Sequence, residues 1–165
     1  MTKQEPVLKA IFLDRDGVIN NVYEKDWVRS WEEFIWLPGA KEALTLIMKR
    51  GYICVVITNQ SCVGRGILSR EKVDEINLRM IEEVESSGGR INAVYVCPHK
   101  PDDGCACRKP KTANFEKAMK EFSLKPEEIV FIGDYESDRQ AAMNVGCRFE
   151  MVGKGRSLLD IVKSL

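Results

Sequence analysis

Short runs of apolar residues alternate along the chain with longer stretches in which apolar positions recur every three or four residues. The run VLKAIFL (7–13) predicts a buried strand, as do YICVVI (52–57), INAVYV (91–96), IVFIG (129–133) and a short segment near 148–152. Between them lie helical patterns. Pro38 opens one that runs to Arg50, with Ala43, Leu44 and Ile47 on one face and Gly51 at its end. Ser69 caps a long one to about Ser86, its inward face carrying Val73, Ile76, Met80, Ile81 and Val84. Further helices are predicted over 112–122, 137–145 and 157–164. Strands alternating with helices imply right-handed crossover units and a Rossmann-like α/β fold, a parallel sheet with helices on both faces. There is no repeat and no linker, so residues 1–165 are read as one domain.

In such sheets, sites form beyond the carboxyl ends of the strands. Three polar clusters follow apolar runs directly: DRDGVIN after the first strand, TNQS after the second, and GDYESD after the 129–133 strand. The fold therefore gathers Asp14, Asp16 and Asp134 at one edge. Carboxylates gathered there repel one another, and a hard divalent cation such as Mg²⁺ relieves that repulsion. The competing reading is that each Asp merely caps a turn.

Charge and composition narrow the picture. Lys plus Arg equals Asp plus Glu at 25 each, so nothing draws the chain to nucleic acid or to an anionic membrane. The polar start, MTKQEPVLKA, has no secretory pattern and no apolar run is long enough to span a bilayer, which makes a cytoplasmic protein the expectation. Cys97, His99, Cys105 and Cys107 crowd into eleven residues around a Pro-Asp-Asp-Gly turn. Three thiolates and one imidazole suit a closed, structural Zn²⁺ site. Such a site would stiffen a long polar loop and fix Arg108 and Lys109 directly after it. Cys54, Cys62 and Cys147 read as small buried hydrophobes.

The order Asp-x-Asp-Gly, strand plus Thr-Asn, Arg-Lys-Pro and Gly-Asp-x-x-x-Asp resembles the haloacid dehalogenase (HAD) phosphatases. DRDGVIN, VRSWEEFIWLPGA, TNQSCVGRG and CPHKPDDGCACRKP are similar to the heptose-bisphosphate phosphatases and the related histidinol-phosphatase subgroup, across most of the chain. The resemblance implies Asp14 as nucleophile and Asp16 as general acid and base. It implies Mg²⁺ held by Asp14, the backbone carbonyl of Asp16, and Asp134. Thr58 and Lys109 would contact the transferring phosphoryl group, and Asn59, Gln60, Ser61 and Arg108 the substrate. Asp138 is open to three readings: orienting Lys109, approaching the metal, or favouring a helix start. Tyr135 stands where those phosphatases usually carry Lys, Cys62 where they carry Gly, and Thr112-Ala113 where they carry Pro-Gly.

The intervals from Asp14 to Thr58 and from Thr58 to Lys109 are filled by the elements above, which leaves no room for a cap domain. Specificity then falls to residues 20–27, residues 60–66 and the zinc loop. The implied reaction is removal of the 7-phosphate from a D-glycero-D-manno-heptose 1,7-bisphosphate, on the route to surface polysaccharide. The chain would act as a monomer on a small phosphorylated sugar. Histidinol phosphate is the alternative substrate, with Glu24, Asp26 and Trp27 available to meet an amine and an imidazole. A polynucleotide 3′-phosphatase fits the neutral charge poorly. An inactive zinc-stabilised binding module would have no use for Asp14, Asp16, Lys109 and Asp134 together.

Overall fold

A computed structural model describes residues 7–22, 26–153 and 155–165. Strands β1 (Ala10–Leu13), β2 (Asn20–Asn21) and β3 (Ile35–Trp36) precede helix α1 (Ala40–Lys49). Then come β4 (Ile53–Asn59), α2 (Arg70–Ser86), β5 (Ala93–Cys97) and α3 (Ala113–Glu121). The chain closes with β6 (Ile129–Gly133), α4 (Glu136–Val145), β7 (Arg148–Met151) and α5 (Leu158–Ser164).

Five strands form one parallel sheet in the order β5-β4-β1-β6-β7. Chain connections leave β1 toward opposite edges, so the crevice beyond its carboxyl end is where a ligand site belongs. Alternation along β1 shows why its short apolar run is buried on both faces. Ile11 and Leu13 join Ala43, Leu44, Ile47, Ile76, Met80, Ile161 and Val162, drawn from α1, α2 and α5. Ala10 and Phe12 join Phe115, Ala118, Ala141 and Ala142, drawn from α3 and α4. Every β1 side chain is fully buried.

Residues 7–9 of the expected first strand lie before β1, though the Lys9 amide still donates to the Glu128 carbonyl. β4 runs two residues further than its apolar run, so Thr58 and Asn59 are ladder residues paired with Val96 and Cys97 rather than the start of a loop. The β2–β3 hairpin was not expected. Its four residues join the stretch after Asp16 to the segment before α1; Trp31 stacks on Phe34 at 4.8 Å, and Phe34 meets Trp36 edge-on at 5.1 Å. Trp31 and Trp36 thus pack against the core.

Candidate phosphoryl-transfer site

Asp14 is the first residue past β1, with its amide donating to the Ile132 carbonyl on β6. Asp134 is the first residue past β6. Lys109 arrives from the far side, after the cysteine loop, and is 4% exposed. Its Nζ lies 2.9 Å from Asp14 Oδ1 and 2.8 Å from Asp138 Oδ1, and donates to the Ile57 carbonyl at 2.9 Å. All three ammonium donors are therefore spoken for. The backbone of Lys109 is clamped as well: its amide donates to Asn59 Oδ1 (3.1 Å) and its carbonyl accepts from Asn59 Nδ2 (3.3 Å). A lysine read from sequence as a phosphate ligand is thus a buried, doubly paired cation at the foot of the cleft.

Asp138 fills two of the roles left open for it. Oδ1 holds Lys109, and Oδ2 accepts from the Asp134 and Tyr135 amides at the start of α4. Oxygens of Asp14, Asp134 and Asp138 lie within 4.8 Å of one another. Gly133 and Gly17 make this approach possible. A Cβ on Gly133 would collide with the Asp138 side chain, and one on Gly17, which sits at φ +86°, would collide with the Asp134 carboxylate.

The carboxylates are under electrostatic stress. Burial pushes Asp14 up to about 8, which the Lys109 ammonium opposes and the Asp138 and Asp16 charges reinforce. Burial likewise raises Asp134 to about 6, helped by Asp138. Burial alone lowers Lys109, but Asp14 and Asp138 outweigh it and raise it. One ammonium does not balance this many acids. Asp14 and Asp134 fit a hard divalent cation, which would supply the missing charge. Asp138 is engaged by Lys109 and two amides and lines the same cleft.

Asp16 turns its side chain away from that cluster, toward Arg15, Asn20 and Gln60. Gln60, expected to touch substrate, is fully buried and donates to Asp16 Oδ2 (2.6 Å) and to Thr58 Oγ1 (2.9 Å). Thr58 is 1% exposed, at the end of β4. Asn59, Ser61 and Arg108 line a cleft of about 700 Å³ together with Asp14, Asp16, Lys109 and Asp134. Val22 and Arg65, from the segments 20–27 and 60–66 expected to set specificity, also line it, as does Tyr135. The Arg65 guanidinium lies 5.8 Å from the Trp27 ring centroid. Asp26 and Trp27 reach the cleft, while Glu24 lies outside the described residues.

The cysteine loop leaves β5 at Cys97. Its Sγ lies 3.8 Å from Cys105 Sγ, 3.0 Å from Cys107 Sγ and 3.7 Å from His99 Nδ1, and His99 Nδ1 lies 3.3 Å from Cys107 Sγ. A tetrahedron with metal–sulfur bonds of about 2.3 Å has edges of roughly 3.8 Å. The four ligand atoms thus fit a small tetrahedral ion, and their softness favours Zn²⁺.

An open parallel sheet with acids gathered beyond β1 and β6 is the arrangement of a HAD-type hydrolase. A family model described as HAD-hydrolase-like matches residues 106–163. The chain is 35% identical over 156 residues to the D-glycero-beta-D-manno-heptose-1,7-bisphosphate 7-phosphatase of Pseudomonas putida, covering 93% of this chain and 88% of that one. It is 39% identical over 136 residues to the D-glycero-alpha-D-manno-heptose-1,7-bisphosphate 7-phosphatase of Campylobacter jejuni, covering 82% and 77%. The D,D-heptose 1,7-bisphosphate phosphatase of B. bronchiseptica, solved with magnesium and phosphate, superposes with a TM-score of 0.88 at 30% identity over 95% and 97% of the two chains. The chain belongs to the HAD phosphatases, in the family of the heptose-1,7-bisphosphate 7-phosphatases.

Proposed function

We propose that the protein is a Mg²⁺-dependent phosphomonoesterase that removes the 7-phosphate of a D-glycero-D-manno-heptose 1,7-bisphosphate. The observation that carries this is the buried Lys109 ammonium, 2.9 Å from Asp14 in a cleft whose other wall is Asp134. That arrangement keeps a carboxylate nucleophile beside a fixed cation that can receive a phosphoryl group. Asp14, the Asp16 carbonyl and Asp134 would hold Mg²⁺, which when bound supplies positive charge against the phosphate.

The protein's own groups account for the steps. An Asp14 oxygen attacks phosphorus as the bond to the sugar oxygen breaks, and Asp16 delivers a proton to that leaving oxygen. Water then attacks the aspartyl phosphate and passes a proton to Asp16, which frees phosphate and regenerates Asp14. Lys109 offsets charge on the phosphoryl oxygens through its field, and the Thr58 hydroxyl would donate to them. Asn59 and Ser61 form the wall beside them.

A bisphosphate presents a second anion at the mouth. Arg108 and Arg65 are the cations there. The Arg108 Nη1 donates to the His99 carbonyl at 3.3 Å, which ties its position to the zinc loop. We assign the structural Zn²⁺ to Cys97, His99, Cys105 and Cys107, and a cytoplasmic monomer to the whole. Among the described residues, no helix is long and apolar enough to cross a membrane. The test is a substrate panel with Mg²⁺: both heptose 1,7-bisphosphate anomers, histidinol phosphate and a 3′-phosphorylated oligonucleotide. A kcat/KM at least tenfold higher for one heptose bisphosphate supports the assignment, and a preference for histidinol phosphate or the oligonucleotide overturns it.

A further inference from the structure

Arg15 lies between the two acids of DRDG, yet it is 1% exposed and is among the largest fully buried side chains among the described residues. Its Nε donates to Asp16 Oδ1 at 3.2 Å, and its Nη2 reaches Oδ1 at 3.0 Å and Oδ2 at 3.2 Å. Asn20 Nδ2 adds a donor to Oδ1 at 2.9 Å and Gln60 Nε2 one to Oδ2 at 2.6 Å. Both oxygens of Asp16 are thereby fixed from three directions, with one edge of the side chain left open to the cleft.

The far end of Arg15 is fixed too. Nη1 donates to Asn77 Oδ1 at 2.9 Å, across 62 residues of chain. Asn77 belongs to the inward face of α2, whose other buried members are Val73, Ile76, Met80 and Val84. Its Nδ2 is buried without a hydrogen-bond partner. A buried unpaired amide is destabilising, and an apolar side chain would avoid that loss on this face. The useful part of Asn77 is its acceptor, aimed at Arg15.

We infer that Arg15, anchored by Asn77, is a positioning residue that aims the Asp16 carboxyl at the sugar oxygen and, later, at the hydrolytic water. Gln60 is the second arm of the same cradle. It spans Asp16 and Thr58, and Cys62 Sγ lies 3.7 Å from its Oε1. The inference rests on the reading of Asp16 as proton donor and acceptor. It adds that geometry set by α2, remote from substrate, governs those two proton transfers and no other step.

Asn77→Asp tests it. The new carboxylate competes with Asp16 for the guanidinium while keeping Arg15 paired. A sugar alkoxide leaves slowly without a proton, whereas p-nitrophenolate leaves without help. With the heptose bisphosphate, or whichever alkyl phosphate the parent enzyme turns over best, kcat should fall at least tenfold with KM within twofold. With p-nitrophenyl phosphate, the variant should show a burst of one equivalent at the parent rate, then turnover slowed at least tenfold. Asn77→Ser, which withdraws the acceptor without adding charge, is read in the same way should Asn77→Asp not fold. Proportional losses in burst and turnover, tracking the folded fraction, would make the pair merely structural and overturn the inference, as would an unchanged kcat. An Asp14→Asn enzyme that kept activity would instead overturn the parent reading.

Discussion

Replacing Lys109 with Met removes the ammonium, which lies 5.4 Å from the Phe131 ring centroid, and keeps an unbranched apolar side chain of similar length. What remains is a partly buried Asp14 and a buried Asp138 with no cation between them. Removing one partner of a buried ion pair destabilises by about 3–5 kcal/mol. In a domain of this size each kcal/mol moves Tm by roughly 2–4 °C, so a drop of about 6–20 °C is expected at pH 8 in metal-free buffer. The loss should shrink at pH 5.5. Asp14 titrates near 8 in the fold against its ordinary 3.8, and without Lys109 it is held higher still. At pH 5.5 Asp14 is protonated in both proteins, so the part of the loss that comes from its pairing with Lys109 falls away, whereas at pH 8 the parent's Asp14 is partly ionised and gains from the ammonium. Differential scanning calorimetry of both proteins at the two pH values checks this. Activity should fall by about 10²–10³ even where the variant is folded, the usual loss for a fixed donor at a developing charge. A pH-independent drop, or a folded Lys109→Met enzyme with normal kcat, would refute the electrostatic account.

Other expectations follow from the same geometry. Metal-free protein should lose stability as pH rises from about 4 to 8, because the fold raises Asp14 from 3.8 to about 8 and so binds its proton more tightly than the unfolded chain does. Added Mg²⁺ should therefore raise Tm more at pH 8 than at pH 5.5, and an equal shift would contradict that. Gly133→Ala should displace Asp138, uncouple it from Lys109 and lower kcat by at least about tenfold, by analogy with loss of a positioned charge, with the steric strain visible as a lower Tm. Cys107→Ser should abolish bound zinc by elemental analysis and lower both Tm and kcat/KM, since the loop it closes leads directly into Arg108 and Lys109. A zinc-free variant that stayed folded with unchanged kinetics would remove the loop from the functional account.

Much of this architecture could be read from the chain because its signals are local. The buried strands are short apolar runs, and the helix faces show their period within 40–49 and 70–86. The carboxyl-end rule then places Asp14 and Asp134 at one edge without knowledge of any contact. What escaped the sequence depends on tertiary pairing. The β2–β3 strands are two residues each, too short for any periodicity. Thr58 and Asn59 are polar, so the apolar run stops before the ladder does. Nothing in the sequence around Arg15 points to Asn77, 62 residues away, and only the fold shows the pairing. Gln60 was placed at the substrate by the resemblance of the TNQS stretch; just past β4, its amide instead donates to Asp16.

In the proposed reaction Asp14 is the nucleophile that accepts the phosphoryl group covalently. Mixing enzyme, Mg²⁺ and heptose 1,7-bisphosphate, quenching in acid within milliseconds, and mapping the phosphorylated peptide by mass spectrometry tests it directly. The phosphoryl group should reside on Asp14, in the peptide carrying DRDG, and vanish in Asp14→Asn. A label on another residue, or full turnover by Asp14→Asn with no labelled peptide, would contradict the account.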